Sequence, residues 1–273
     1  MTTRIYTAAH ADWLLNEGFF DTESTRVNAS LVEAFLRRSY PNILDLSIGQ
    51  YITHYLKLNW KKLRVLDDVL KFLMANNCRR ILSVGSGEAV LEYMLKEYAK
   101  IEKYDLDVFA SDLSDLHVLT SKNFFHELEF YKFDFTNNPV SQILDQCGKV
   151  DAILSFGSFY VMNDNELSSF LNDAAEASIR YVIDFHAGCI VDKGEYLNAV
   201  KHSKMVKDGI EKLHEENPNT VVSSGFVFHG YARMPHQILS VYNNSGWTVS
   251  EIFNISEIDA YKFTVAFERK IKD

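Results

Sequence analysis

Short apolar runs alternate along the middle of the chain with stretches in which apolar residues recur every three or four positions. Ile81 to Val84 reads as a strand, led in by Arg79 and Arg80. Val90, Leu91, Met94, Leu95 and Tyr98 then follow at helical spacing. Further strands are predicted at Asp107 to Ala110, Leu128 to Phe133, Val150 to Phe156 and Arg180 to Asp184, each separated from the next by a helical stretch. Strands alternating with helices predict βα units and a parallel sheet. Near the end, Gln237 to Asn244 is helical in pattern and stops at Ser245-Gly246. Two strand-like runs, Trp247 to Ile255 and Tyr261 to Phe267, close the chain with only Ser256 to Ala260 between them.

Two other regions flank this pattern. Residues 1 to 60 carry helical patterns, notably Ser30 to Arg38, interrupted at Tyr40-Pro41. We expect an N-terminal helical cap there, followed by a helix from Trp60 to Met74 beside the first strand. A long connection, 187 to 234, separates the fifth strand from the closing helix. It holds a helix-like stretch from Tyr196 to His214, a turn at Asn217-Pro218-Asn219 and an apolar segment from Val221 to Phe228. Connections of this length in a compact domain usually serve as lids or binding segments. The expected organisation is a cap over 1–60 and an α/β domain over 61–273, with 187–234 as its lid.

The chemistry gathers where the strands end. The first strand runs into Gly85-Ser86-Gly87 and a helix follows at once. Glycines there allow a tight turn and a close approach of the backbone to a nucleotide-like ligand. The second strand ends in Ser111-Asp112-Leu113, at the distance downstream where a ribose-binding carboxylate is expected. The third ends in Asp134-Phe135, and the fourth in Ser155-Phe156-Gly157-Ser158. In a parallel sheet all of these lie along the carboxyl edge, where open α/β sheets bind ligands.

With these residues the chain resembles the class I S-adenosylmethionine-dependent methyltransferases over roughly 60–190 and again over 234–273. Leu82 to Gly87 is similar to the family's first motif, which shapes the pocket for the methionine part of the cofactor. The resemblance implies that Gly85, Ser86, Gly87, Asp112, Leu113, Asp134, Phe135, Ser155 and Phe156 bind S-adenosyl-L-methionine. Asp112 takes the ribose, and Asp134-Phe135 lies beside the adenine. Two positions depart from the pattern. Ser83 stands where the family usually has an acid, with Glu88 or Glu92 as the available substitutes, and Ala89 replaces a third glycine. The closing strand pair fits the antiparallel hairpin that completes a methyltransferase sheet and that a nicotinamide-binding Rossmann domain normally lacks. The implied fold is a Rossmann-like, doubly wound, seven-stranded α/β sheet with a final antiparallel hairpin.

For the reaction, the expected acceptor is a small polar molecule methylated at a hydroxyl. A hydroxyl acceptor must lose its proton to a positioned base. His186, directly after the fifth strand, is the candidate base, and Tyr160, after the fourth, is the candidate for orienting the acceptor. Each also has a purely structural reading, as a strand-end cap and as a packed aromatic. Tyr51, His54 and Tyr55 cluster ahead of the cofactor domain, and His229 and Arg233 on the long connection could contact a polar acceptor. A second reading keeps the cofactor and changes the group transferred. Tyr55 to Leu58, within the stretch Tyr51 to Leu58, resembles the aromatic segment of nicotianamine synthases, which transfer the cofactor's aminobutyrate group, but the proline-containing loop of those enzymes is missing after Gly87. A third is a non-catalytic binding protein that retains the fold, against which Asp112 and Asp134 both argue.

Composition narrows the partners. The 273 residues are 47% hydrophobic, sufficient for one substantial core. A net charge of −9 argues against extended contact with nucleic acid, which calls for phosphate-neutralising Lys and Arg. No apolar run of about 18 residues is present, so no membrane span is expected. Cys78, Cys147 and Cys189 are scattered without CxxC spacing, as expected of reduced thiols in a cytoplasmic protein. The spacing of His186 and Cys189 is that of a metal-binding pair, but the segment after the fourth strand lacks the acids of metal-dependent O-methyltransferases, and no metal is expected. The sequence leaves the oligomeric state open.

Overall fold

In a computed structural model of the chain, the described residues are 3–8, 45–59, 65–201, 226–253 and 263–270. Seven strands form one sheet: β2 (Arg80–Val84), β3 (Asp107–Asp112), β4 (Glu129–Lys132), β5 (Ala152–Phe156), β6 (Tyr181–Phe185), β8 (Trp247–Ile252) and β9 (Thr264–Arg269). Their spatial order is β4-β3-β2-β5-β6-β9-β8. The first five are parallel, and β9 inserts antiparallel between β6 and β8. The chain winds outward from β2 to β4, then returns to β5 on the other side of β2. That reversal opens a crevice at the carboxyl ends of β2 and β5.

Helices cover both faces. They are α1 (Ile48–Asn59), α2 (Leu66–Ala75), α3 (Val90–Ile101), α4 (Asp115–Phe124), α5 (Val140–Cys147), α6 (Asp164–Glu176) and α7 (Pro235–Asn244). Alternation along the strands decides which face each side chain supplies. Tyr181, Ile183 and Phe185 of β6 join one apolar layer with α2 and α3, while Val182 joins the other with α5, α6 and α7. Leu82 and Val84 lie in the second layer and Ile81 in the first. With both faces covered, the central strands read as continuous apolar runs.

The helix starts carry recognisable chemistry. Asn163 and Glu166 form a capping box at α6: Asn163 accepts from Asn165 N and Glu166 N at 2.9 and 3.0 Å, and Glu166 accepts from Asn163 N at 2.9 Å. Pro235 opens α7, where its missing N–H costs nothing.

The structure departs from the expected organisation in two places. Residues 3–8 form a strand, β1 (Thr3–Ala8), where a helical cap was expected. Its β-branched and aromatic residues suit a strand, and it pairs antiparallel with β7 (Phe226–Ala232), the later part of the long connection. The helix expected from Trp60 to Met74 is described as α2 from Leu66 to Ala75, with 60–64 outside the described residues, and α1 precedes it as a separate helix within the expected cap. Helix also begins at residue 193, ahead of the expected Tyr196. The helical pattern at Ser30 to Arg38 and most of Tyr196 to His214 lie outside the described residues.

Candidate active site

The turn after β2 is built for close approach. Gly85 has φ +64°, and a Cβ there would sit 2.4 Å from Ser158 Oγ. No side chain fits that spot, because Ser158 Oγ donates to Gly85 O at 2.8 Å and ties the ends of β2 and β5 together. Ser86 fastens the turn to β3: its N–H and its hydroxyl both donate to Ser111 O, at 3.0 and 3.1 Å. Gly87 N then donates to Asp112 Oδ2 at 2.9 Å, and Ser114 N to Asp112 Oδ1 at 2.9 Å. Two backbone N–H groups thus fix the orientation of the Asp112 carboxylate at the end of β3.

A cleft of about 240 Å³ opens over this turn, lined by Gly85, Gly87, Asp112, Leu113, Asp134, Phe135 and Tyr160 among others. Six of the nine residues expected to hold a cofactor, and the expected acceptor-orienting Tyr160, therefore meet around one cavity. Asp134 also organises its own loop, accepting from Thr136 N at 3.0 Å, Thr136 Oγ1 at 2.7 Å and Asn137 Nδ2 at 2.5 Å. Phe135 forms an aromatic wall, edge-on to Phe159 and Phe170 at 6.1 and 6.2 Å between ring centres. Thr136, Gly157, Ser158 and Val161 also line the cleft. Of these, only Gly157-Ser158 had been read as a strand-end signal.

The remaining expected residues are placed differently. Ser86 is spent on β3. Ser155 is buried, and its hydroxyl accepts from Ser158 N and Phe159 N at 3.2 and 3.3 Å, holding the short 3-10 turn Phe159–Val161. Phe156 is buried against Phe185, with ring centres 4.6 Å apart. All three support the cleft from outside its lining.

His186 does not face the cleft. Its N–H donates to Phe263 O at 2.9 Å, so the pairing of β6 with β9 continues one residue past the strand. Alternation then puts His186 on the same face as Asp184, towards α7. The imidazole is fully buried, with Nδ1 3.0 Å from Asp184 Oδ2 and Nε2 3.4 Å from Arg233 Nη1. Tyr242 of α7 donates to the same Asp184 oxygen at 3.0 Å. Burial, then the Asp184 charge, push the Tyr242 hydroxyl well above its usual pKa, so it stays a donor. Arg233, considered as an acceptor contact, is fully buried in this same network. The side chains of His54, Tyr55 and His229 lie outside what the structure describes.

Other parts of the site bear on the departures from the motif. Ser83 donates to Glu92 Oε1 at 2.6 Å, and both are buried beneath the glycine turn. An acid carried by α3 thus reaches the strand position where the pattern has one, whereas Glu88 offers its backbone carbonyl to the Tyr51 hydroxyl at 3.3 Å. Two further cavities exist. One of about 370 Å³ continues past Phe135 and Thr136 along α6, and one of about 600 Å³, lined by Asn172, Asn244 and Arg269, lies at the far end of the sheet. The last is larger than the cleft, but the carboxyl ends of the parallel strands do not converge on it, and position decides. Among the described residues, no group of three His, Cys, Asp or Glu could hold a metal ion, and no helix is long and apolar enough to cross a membrane.

The strand order, the closing antiparallel pair and the strand-end cleft define the class I S-adenosylmethionine-dependent methyltransferase fold. Solved structures of that class share it. Magnesium protoporphyrin IX methyltransferase from Synechocystis PCC 6803, with bound SAH, superimposes with a TM-score of 0.54 at 13% identity, covering 88% of this chain and 99% of that one. An O-methyltransferase family protein from Burkholderia thailandensis gives 0.56 at 12% identity, covering 95% and 68%. Human N-acetylserotonin methyltransferase in complex with SAM gives 0.53 at 14% identity, and the 94% of this chain that matches spans 62% of that protein. No protein-family model matches the sequence, and no curated protein sequence is similar to it.

Proposed function

We propose that this protein is an S-adenosylmethionine-dependent methyltransferase acting on a small polar acceptor at a hydroxyl. The observation that carries the reading is the cleft at the reversal of strand order, with Gly85 and Gly87 on its floor and the oriented Asp112 carboxylate at its rim. The residues present suit the cofactor. A side-chain-free turn admits its methionine arm, a carboxylate can accept from both ribose hydroxyls, and the Phe135 ring offers a flat apolar face to the adenine. Structures of the same fold crystallised with SAM or SAH support the assignment.

When bound, the cofactor supplies an activated methyl group, so the protein's task is to align the acceptor with it. Tyr160, on the wall opposite Asp112, is the residue we assign to orienting the acceptor. His186 lacks access to the cleft in this arrangement, and we assign it to the buried network. The acceptor's proton then leaves to Tyr160 or to solvent. The net charge of −9 supports a small acceptor over nucleic acid. Three buried free thiols, Cys78, Cys147 and Cys189, support a reducing, cytoplasmic setting.

Aminobutyrate transfer is the second reading. It draws on Tyr51, which is buried and stacks on Phe124 at 4.5 Å while its hydroxyl reaches the loop after Gly87. Calorimetric titration of the wild-type protein with S-adenosylmethionine, and with NAD for contrast, tests the cofactor. A screen of hydroxylated acceptors then reads the product. Release of S-adenosylhomocysteine supports methyl transfer, and release of methylthioadenosine overturns it in favour of aminobutyrate transfer.

A further inference from the structure

We propose that Arg233 is a positioning residue that fixes the acceptor-side wall of the cleft from behind. The inference rests on the cofactor-binding role proposed for the cleft. Arg233 directly follows β7, and it is one of the largest fully buried side chains in the described protein. Its guanidinium reaches three elements at once. Nη2 donates to Met162 O at 2.6 Å, Nε donates to Asp164 Oδ1 at 2.9 Å, and Nη1 lies 3.4 Å from His186 Nε2. Met162 closes the 3-10 turn that carries Tyr160 and Val161 into the cleft, and Asp164 is the first residue of α6. The guanidinium therefore anchors the C-terminal end of the segment that supplies that wall, where it passes into α6.

The backbone of Arg233 acts on the same wall from the other side. Arg233 N donates to Gly188 O at 3.0 Å, and Ile190 N donates to Arg233 O at 2.9 Å. Gly188 in turn backs directly onto Tyr160: a Cβ at 188 would lie 3.1 Å from Tyr160 Cβ and 2.4 Å from Tyr231 O. Tyr160 is thus supported through Met162 on one side and through Gly188 on the other, and both supports converge on Arg233. Because Arg has no acceptor, His186 Nε2 must present its lone pair, which puts the imidazole proton on Nδ1, facing Asp184. A buried cation placed this way meets partners too far apart for one nitrogen, which the three nitrogens of a planar guanidinium span and a single ammonium nitrogen does not.

The test uses the full chain and S-adenosylhomocysteine as the probe, titrated calorimetrically well below each variant's melting temperature. Arg233→Lys keeps the charge and loses the fork, and should weaken binding about ten-fold while the protein stays folded. Arg233→Ala should weaken it further, and guanidinium chloride at tens of millimolar should restore most of the loss, whereas tetramethylammonium chloride should not. Asp164→Asn, at a half-exposed position, should fold whatever happens to the others and weaken binding roughly two- to three-fold. Lower melting temperatures with wild-type affinity in both Arg233→Lys and Asp164→Asn would mean that Arg233 only holds the fold, and would overturn the proposal. Absence of binding by the wild-type protein would instead overturn the cofactor assignment.

Discussion

Asp112 and Asp184 both stand at the carboxyl ends of parallel strands in one sheet, both buried, yet their surroundings differ. Asp112 is held by two backbone N–H groups beside an open cleft, and Leu113 after it continues the cleft's lining. Asp184 is sealed, taking the Tyr242 hydroxyl and the His186 imidazole on one oxygen while Arg233 stands beyond the histidine. The difference comes from what covers each strand end. After β3 the chain turns away and leaves space; after β6 it continues pairing with β9 and is roofed by α7. An acid at a strand end becomes part of a ligand site only where the topology leaves the crevice open. Where it does not, the same residue type becomes an interior cross-link.

Substitutions in the two regions should therefore separate stability from binding. The largest effect is expected at the sealed end. Asp184→Ala leaves the Tyr242 hydroxyl and the His186 N–H without their acceptor and the Arg233 charge less compensated, at a cost of about 3–5 kcal/mol. Melting temperature should fall by roughly 10 °C, while the folded protein should still bind S-adenosylhomocysteine within about two-fold of wild type, since Arg233 keeps Met162 and Asp164. A large loss of affinity with little loss of stability would erase the distinction between the two regions.

Gly85→Ala addresses the open end and should affect both readouts. The left-handed backbone at φ +64° and the clash with Ser158 together cost about 2–4 kcal/mol, and the displaced turn should abolish measurable binding of the cofactor. Adding Ser158→Gly relieves the clash and leaves the strained φ, so stability should recover in part. Full recovery would show that the backbone conformation at residue 85 is unimportant.

A smaller effect is expected from pH. Burial, then the Asp151 charge, push the Cys78 thiol up to about 12, and Tyr242 is also raised, by burial and then by Asp184. Both groups hold their protons in the folded protein after the unfolded chain has released them. Stability is therefore complete below the unfolded values and falls as pH rises, from about 9 for the thiol and from about 10 for the phenol, by up to ~1.4 kcal/mol per pH unit per group. Urea midpoints measured from pH 8 to 11 should decline in that order. Tyr242→Phe should flatten the later part, and a decline that Tyr242→Phe leaves unchanged would remove the phenol from the account.

Much of this was legible in the sequence where local rules govern. β2, β3 and β5 are buried on both faces and read as apolar runs, and Gly85 and Asp112 mark their ends without reference to any distant residue. The direction of His186 is set by its pairing with Phe263, far along the chain, and nothing beside residue 186 encodes it. Arg233 meets Met162 across 71 residues, and β1 meets β7 across almost the whole chain, so the network and the N-terminal strand depend on contacts that no local pattern reveals. The Ser83–Glu92 pair lies between these cases. Its nine-residue separation spans one turn and the start of a helix, so the substitute acid could be proposed from the sequence, and the 2.6 Å contact singles out Glu92 from Glu88.

The central claim is that Asp112 and the glycine turn form a cofactor site. Calorimetric titration of Asp112→Ala against wild type with S-adenosylmethionine tests it most directly. Loss of charge-assisted bonds to the ribose hydroxyls should weaken binding by roughly 2 kcal/mol, about thirty-fold, with the melting temperature lowered by a few degrees because Gly87 N and Ser114 N lose their acceptor. An unchanged dissociation constant in Asp112→Ala, or a wild-type protein that binds NAD in place of S-adenosylmethionine, would contradict the account.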